Sequence, residues 1–322
     1  MVVKKERITM FNITICSVSF GCKAYLDINW NLTDKLNRSS KFQWIVADNA
    51  IGSLQECMPA NDERFKIVEG IPKNEKKANE HHAEAIMLLL KKVDTRYLLV
   101  LDPDFFIIRE NWISNVISYM HEKNLGILGS QWHPSAYKKI RYFPSVHCLF
   151  VDLKKIDIDT FNVRPAHDSQ DYSNRTISAI LQKISISKRF DYEIMERFKI
   201  GTSRDTGCFL PEIISDNNRL KSECFTAVFE NKNSWLSRVI DSLVPDRYSF
   251  TPKLFGYTSE KGFKDLGIDF CPNSKGWEEF LWNGKPFGFH VRRYPKRKRG
   301  KYSVDEDLMF IESALKKVLQ SC

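Results

Sequence analysis

Between Asn12 and Ser130 the chain alternates short apolar runs with amphipathic ones, and this rhythm limits its possible folds more than any other feature. The segments "NITICSVSF" (12–20), "FQWIVADNA" (42–50), "FKIVEG" (65–70), "RYLLVLD" (96–102) and "LGILGS" (125–130) are β-branched or leucine-rich. Each stops at or near Gly, Asp, Asn or Ser, as buried strands do. Between them, residues 24–37, 79–93 and 111–123 repeat apolar side chains at helical spacing, for example Ala83, Ile86, Met87 and Leu90. Strands in alternation with helices predict an α/β fold, a mostly parallel central sheet with helices on both faces. Ligands of such sheets gather at the carboxyl ends of the strands. Ser19-Phe20, Asp48, Glu69 and Asp102-Pro103-Asp104 all fall there.

After residue 130 the rhythm changes. "VHCLFVDLKKI" (146–156) reads as one more strand and turn, segment 161–222 mixes polar helix candidates, and 245–290 reads as aromatic-rich loops. With no internal repeat and no low-complexity linker, the expectation is one continuous domain with halves 1–130 and 131–322. Hydrophobic content of 43% and charged content of 28% belong to a globular chain, which excludes a disordered one. Eight cysteines without a C-x-x-C pair argue against a zinc ribbon or a thioredoxin-like site, and their place in apolar runs suits a reducing compartment. The N-terminal residues lack a signal-peptide pattern, and no window reaches the roughly 18 apolar residues that span a bilayer. A cytoplasmic protein is expected.

"YLLVLDPDFFI" (97–107) concentrates the chemistry. Side chains i and i+2 of a strand share a face, so Asp102 and Asp104 can converge beyond the sheet. Pro103 fixes φ and donates no hydrogen bond, which suits a strand exit. Two hard oxygen ligands fit Mg²⁺ or Mn²⁺ together with a substrate phosphate. The same pair also fits an ordinary turn, and spacing alone leaves both readings open.

The order of "ITICSVSFG", "FQWIVADNA", a helix rich in small residues, "YLLVLDPDFFI" and "LGILGSQ" resembles the nucleotide-sugar-dependent glycosyltransferases of the GT-A fold, family 2 (inverting) above all. The similarity spans about residues 12–156 and thins afterwards. It implies a nucleotide-sugar-binding half over 1–130 and an acceptor-binding half over 131–322. It implies further that Ser17, Ser19 and Phe20 line the base and ribose, and that Asp48 faces the nucleobase. Asp102 and Asp104 would hold the ribose and a metal-bound diphosphate. An inverting transfer needs a carboxylate to deprotonate the acceptor. The resemblance puts that base about a hundred residues after the D-x-D, where Asp205 stands in "SRDTGCFLPEI", with Glu212 and Asp168 as weaker candidates. The usual Glu-Asp pair is absent there. By the same resemblance His290, in "PFGFHVRRYP", is a candidate metal ligand, Arg292 and Arg293 partners of the departing diphosphate, and His82 a donor contact at a helix start. His147 would lie on the acceptor side, and Trp132, Trp277 and Trp282 either stack on sugars or fill core.

Net charge is +9, and "HVRRYPKRKRGK" (290–301) carries eight basic side chains and no acid. That run is a solvated loop or a contact for an anionic membrane face, a phosphorylated ligand or nucleic acid. No RRM, KH, zinc-finger or helix-turn-helix pattern accompanies it, so no nucleic-acid partner is expected. A nucleotidyltransferase is the second enzyme reading, but "SFGCKAYLD" after the first strand has a single Gly where that class carries a Gly-rich basic loop. The expected partners are a nucleotide-diphospho-sugar donor and a hydroxyl-bearing acceptor.

Overall fold

A computed structural model describes residues 10–71, 78–132, 143–165, 206–215, 220–228, 277–291 and 304–320. In chain order the strands are β1 (Ile13–Ser19), β2 (Phe42–Asp48), β3 (Phe65–Glu69), β4 (Tyr97–Leu101), β5 (Phe105–Ile107), β6 (Leu125–Ser130), β7 (Cys148–Asp152), β8 (Lys221–Ala227), β9 (Glu278–Trp282) and β10 (Lys285–His290). The helices are α1 (Lys23–Leu36), α2 (Ala78–Leu90), α3 (Trp112–Glu122), α4 (Leu210–Ser215) and α5 (Val304–Gln320).

The strands form one sheet in the order β3-β2-β1-β4-β7-β6-β8-β9-β10-β5. The alternation of strands and helices expected from the sequence is present, and β3, β2, β1 and β4 run parallel. The sheet as a whole is mixed, because β7 enters between β4 and β6 antiparallel to both. β1, β2 and β4 are buried along their whole length, consistent with cover on both faces. One face packs against α1, α3 and α5 through side chains such as Leu26, Trp112 and Ile311. The other packs against α2 and α4 through Ala83, Ile86 and Leu210.

Of residues 245–290, read from sequence as aromatic-rich loops, 245–276 lie outside the described residues and the rest forms the hairpin β9–β10. Its turn is Asn283-Gly284, with φ of 50° and 71°. Two successive positive φ values define the tight turn whose twist matches paired strands, and Asn-Gly is its preferred sequence. The aromatic density that suggested loops is the hairpin's core: Phe225 stacks on Phe287 at 4.0 Å and Trp277 on Phe289 at 5.4 Å.

One chain crossing positions the site. β4 lies inside the sheet between β1 and β7, yet after a three-residue link the chain re-enters the sheet as β5, at the far edge beside β10. Asp102-Pro103-Asp104 is the link between these two places. The sheet therefore curls until β10 stands next to the end of β4.

Candidate metal centre

The D-x-D link is held from several sides. Asp102 N–H donates to His147 O at 2.9 Å, continuing the β4–β7 ladder by one residue. Phe105 N–H donates back to Asp102 O, and Val291 N–H donates to Asp104 O, each at 2.9 Å. From α1, the buried amide of Asn29 donates to Pro103 O at 3.2 Å and to Phe105 O at 2.7 Å. With its backbone groups paired in this way, the link has little freedom, and its carboxylates are placed rather than mobile.

The β10–β5 register pairs His290 with Phe105, the residue after Asp104. His290 Nε2 stands 3.2 Å from Asp104 Oδ1 and 4.0 Å from Asp102 Oδ2. One donor atom from each of Asp102, Asp104 and His290 lies within 4.8 Å of the others. On the far side of the ring, His290 Nδ1 is 3.1 Å from Glu278 Oε2 across the β9–β10 pair. His290 and Glu278 are 4% and 2% exposed. Burial opposes a charged imidazole, but Asp104 and Glu278 outweigh it and raise His290 to about 10. A cation between three acids is the arrangement this pocket favours.

Oxygen, oxygen and imidazole nitrogen suit Mn²⁺ or Mg²⁺ with open positions left over. A metal-ligating histidine commonly donates its other N–H to a carboxylate, and Glu278 supplies one. The residues present therefore fit a divalent ion. On the other flank His82, in the first turns of α2, places Nε2 3.3 Å from Asp102 Oδ1. His147 packs beside His290 with ring centroids 4.7 Å apart, and its Nδ1 is 2.6 Å from Ser145 Oγ.

The remaining residues singled out from sequence fall as follows. Ser17 is buried and committed to the interior: its hydroxyl donates to Leu101 O at 2.6 Å and accepts from the Trp44 indole at 3.0 Å. Ser19 Oγ accepts from Cys22 N–H at 3.1 Å, closing the turn into α1. Phe20, at the end of β1, is 47% exposed, and Ile51, in the turn after β2, is 54% exposed. The Asp48 carboxylate organises that turn, accepting from Ala50 N–H, Ser53 Oγ–H and Leu54 N–H at 3.2, 2.8 and 3.3 Å. Asp205, Asp168, Arg292 and Arg293 lie outside the described residues, and Glu212 falls in α4. Thr206, the residue after Asp205, donates its hydroxyl to Asn79 O at the start of α2, the turn that carries His82. Trp277 and Trp282 are buried among Phe225, Phe287 and Phe289, and Trp132 packs edge-on against His147 at 4.4 Å.

Sequence reasoning missed Asn29 and Glu278, and His147, expected on the acceptor side, packs against the ring of His290. Glu278 had a readable signal, two successive acids in "WEEFLW" inside an otherwise apolar strand pattern. Asn29 had none, because its role depends on where α1 docks.

No protein-family model matches the sequence, and no curated protein matches it. Among solved structures the chain is similar to the mannosyltransferase PcManGT from Pyrobaculum calidifontis in complex with GDP-Man and Mn²⁺, at 10% identity and a TM-score of 0.38. That match covers 56% of this chain and 53% of the other. Residues 1–349 of S. aureus TarS, in complex with UDP-GlcNAc, match at 12% identity and a TM-score of 0.38, covering 47% of this chain and 48% of the other. Mouse xyloside xylosyltransferase 1 in its apo form matches at 6% identity and a TM-score of 0.35, covering 67% and 85%. The chain thus spans about half the length of the first two structures.

Proposed function

We propose that the protein is a metal-dependent glycosyltransferase of the GT-A type. It would move a sugar, of the hexosyl kind, from a nucleotide-diphospho-sugar to an acceptor hydroxyl with inversion. The observation that carries this reading is the convergence of Asp102, Asp104 and the Glu278-backed His290 at the carboxyl end of β4. Ligands of α/β sheets bind at that edge. A Mn²⁺ or Mg²⁺ ion there would neutralise charge on the departing diphosphate.

The chain's own residues divide the remaining work. His82 orients Asp102, Glu278 keeps the Nε2 side of His290 turned to the carboxylates, and Asn29 fixes the link between them. Phe20 and Ile51 offer exposed apolar surface at the ends of β1 and β2 for a nucleobase, above the turn that Asp48 shapes. Ser17 and Ser19 support that floor from within. Residues 1–130 would bind the donor and 131–322 the acceptor. Asp205 would take the proton of the acceptor hydroxyl as the diphosphate leaves from the opposite face, and Arg292 and Arg293 would pair with that diphosphate. Among the described residues no helix is long and apolar enough to cross a membrane. A cytoplasmic enzyme, with the basic run available to an anionic membrane face, belongs to the same reading.

Thermal-shift titration with UDP, GDP, ADP and CDP, with and without Mn²⁺, tests the proposal. One diphosphate should raise Tm selectively and only with metal, by mass action on the folded state. Asp104→Asn should abolish that rise, and identical responses to all four diphosphates in wild type and variant would refute the assignment.

A further inference from the structure

A second group of polar side chains borders the metal centre beside His147, whose ring lies 4.7 Å from that of His290. Leu98 and Val100 of β4, Leu149 and Val151 of β7, and Ile127 of β6 all lie in the core under α2. Strand alternation carries that face on to Asp102, to His147 and to Gln131. The end of β6 is tied to the same place. Ser145 N–H donates to Ser130 O at 2.7 Å, Ser145 Oγ meets His147 Nδ1 at 2.6 Å, and Trp132 packs on the His147 ring. Gly129 permits this approach, since a Cβ there would run into the Cys148 carbonyl.

Gln131 is 1% exposed, and among the described residues neither its carboxamide nitrogen nor its oxygen has a hydrogen-bond partner. Burying an amide unpaired is costly, and an apolar side chain of similar shape would be cheaper to fold. A carboxamide offers a donor and an acceptor in one plane and no charge. Its complement is a neutral ligand that also donates and accepts, which describes the hydroxyls of a sugar. A phosphate is the poorer match, because its oxygens only accept and would leave the carboxamide's own acceptor unpaired.

We infer that Gln131 determines specificity by reading hydroxyls of the transferred sugar, next to the diphosphate held at Asp102, Asp104 and His290. This rests on the glycosyltransferase reading above. The orphaned carboxamide is the pairing capacity that the donor's sugar completes.

The test uses the full chain with Mn²⁺ and measures affinity for UDP, GDP, UDP-glucose, UDP-N-acetylglucosamine and GDP-mannose, in wild type, Gln131→Met and Gln131→Ala. In wild type a sugar nucleotide should bind more tightly than its sugarless diphosphate. Both variants should lose about tenfold in that sugar nucleotide's affinity and leave the diphosphate's unchanged, as removal of one or two neutral hydrogen bonds requires. Without ligand, Gln131→Met should melt at or above the wild-type temperature, because it removes an unpaired buried amide. A lowered Tm in Gln131→Met with equal losses for both ligand classes would mean a structural glutamine and overturn the inference. So would unchanged affinities, or a wild type that gains nothing from any sugar. If wild type binds none of the five compounds, the glycosyltransferase reading fails first and this inference falls with it.

Discussion

Glu278 Oε2 and His290 Nδ1 stand 3.1 Å apart across neighbouring strands, both buried, with the opposite ring nitrogen of His290 3.2 Å from Asp104. The carboxylate thereby fixes which nitrogen faces the D-x-D link and raises its basicity. Glu278→Gln keeps the shape and removes the charge. Mn²⁺ affinity, followed by calorimetry, should fall about 10- to 100-fold with the circular dichroism spectrum unchanged. An unaltered affinity would remove Glu278 from the centre.

Asp104 and Asp102 differ in what surrounds them. Asp104 stands 3.2 Å from His290, whereas Asp102 is approached by His82 at 3.3 Å and lies 4.0 Å from His290. Asp104→Ala should abolish metal-dependent transfer and Mn²⁺ binding while leaving the fold intact. His82→Ala should weaken metal binding less, since it removes an orienting contact and not a ligand. Equal losses in the two variants would contradict this division of roles.

Asn29 spans α1 and the D-x-D link through two hydrogen bonds to main-chain carbonyls. Asn29→Ala leaves those carbonyls short of a partner in the interior, at a cost of about 1–3 kcal/mol. Chemical denaturation should register that loss. Metal affinity should fall as well, because the link is no longer clamped; stability lost with metal affinity intact would show that the clamp is purely structural.

Arg64 bridges Asp62 and Asp34 at 2.7 Å each and lies over the Trp30 ring at 4.9 Å. The Arg64 hydrogen bond holds the Asp62 carboxyl below its ordinary value. A depressed carboxylate contributes stability above its unfolded pKa of about 3.9, and that contribution disappears as pH falls through the lower folded value. Asp62→Asn should therefore be less stable than wild type at pH 7, by under about 1 kcal/mol since the pair is partly exposed. The difference should vanish in urea melts at the acid end, and a difference that grows there would reverse the sign.

Burial pushes the thiols of Cys16 and Cys148 up, with the charge of Asp102 adding to the effect at Cys148. The thiolate is the reactive form. Neither should react with an aromatic disulfide reagent at pH 8 in the native protein, and both should react once urea unfolds it. Mass mapping of labelled peptides reads this directly, and native labelling of either would place it at the surface.

Local information in the sequence was enough for much of this. The β-branched runs, the 3.6-residue spacing and the punctuation at Gly21, Asp48, Gly70 and Asp102 laid out β1 to β4 and α1 to α3, because period and turn chemistry act over a few residues. Asp102, Asp104 and His290 were legible as residue types suited to a metal. The hairpin at Asn283-Gly284 was also legible and was obscured by its aromatic content, which belongs to core and not to loops. What no local pattern contained was the distance between position 104 and position 290. That was decided when β5 left the middle of the sheet, paired with β10 and set His290 opposite Phe105. The same long-range pairing decided the partners of His290 and the clamp of Asn29. Side-chain chemistry is written residue by residue, whereas the convergence of groups nearly two hundred residues apart is fixed by strand register.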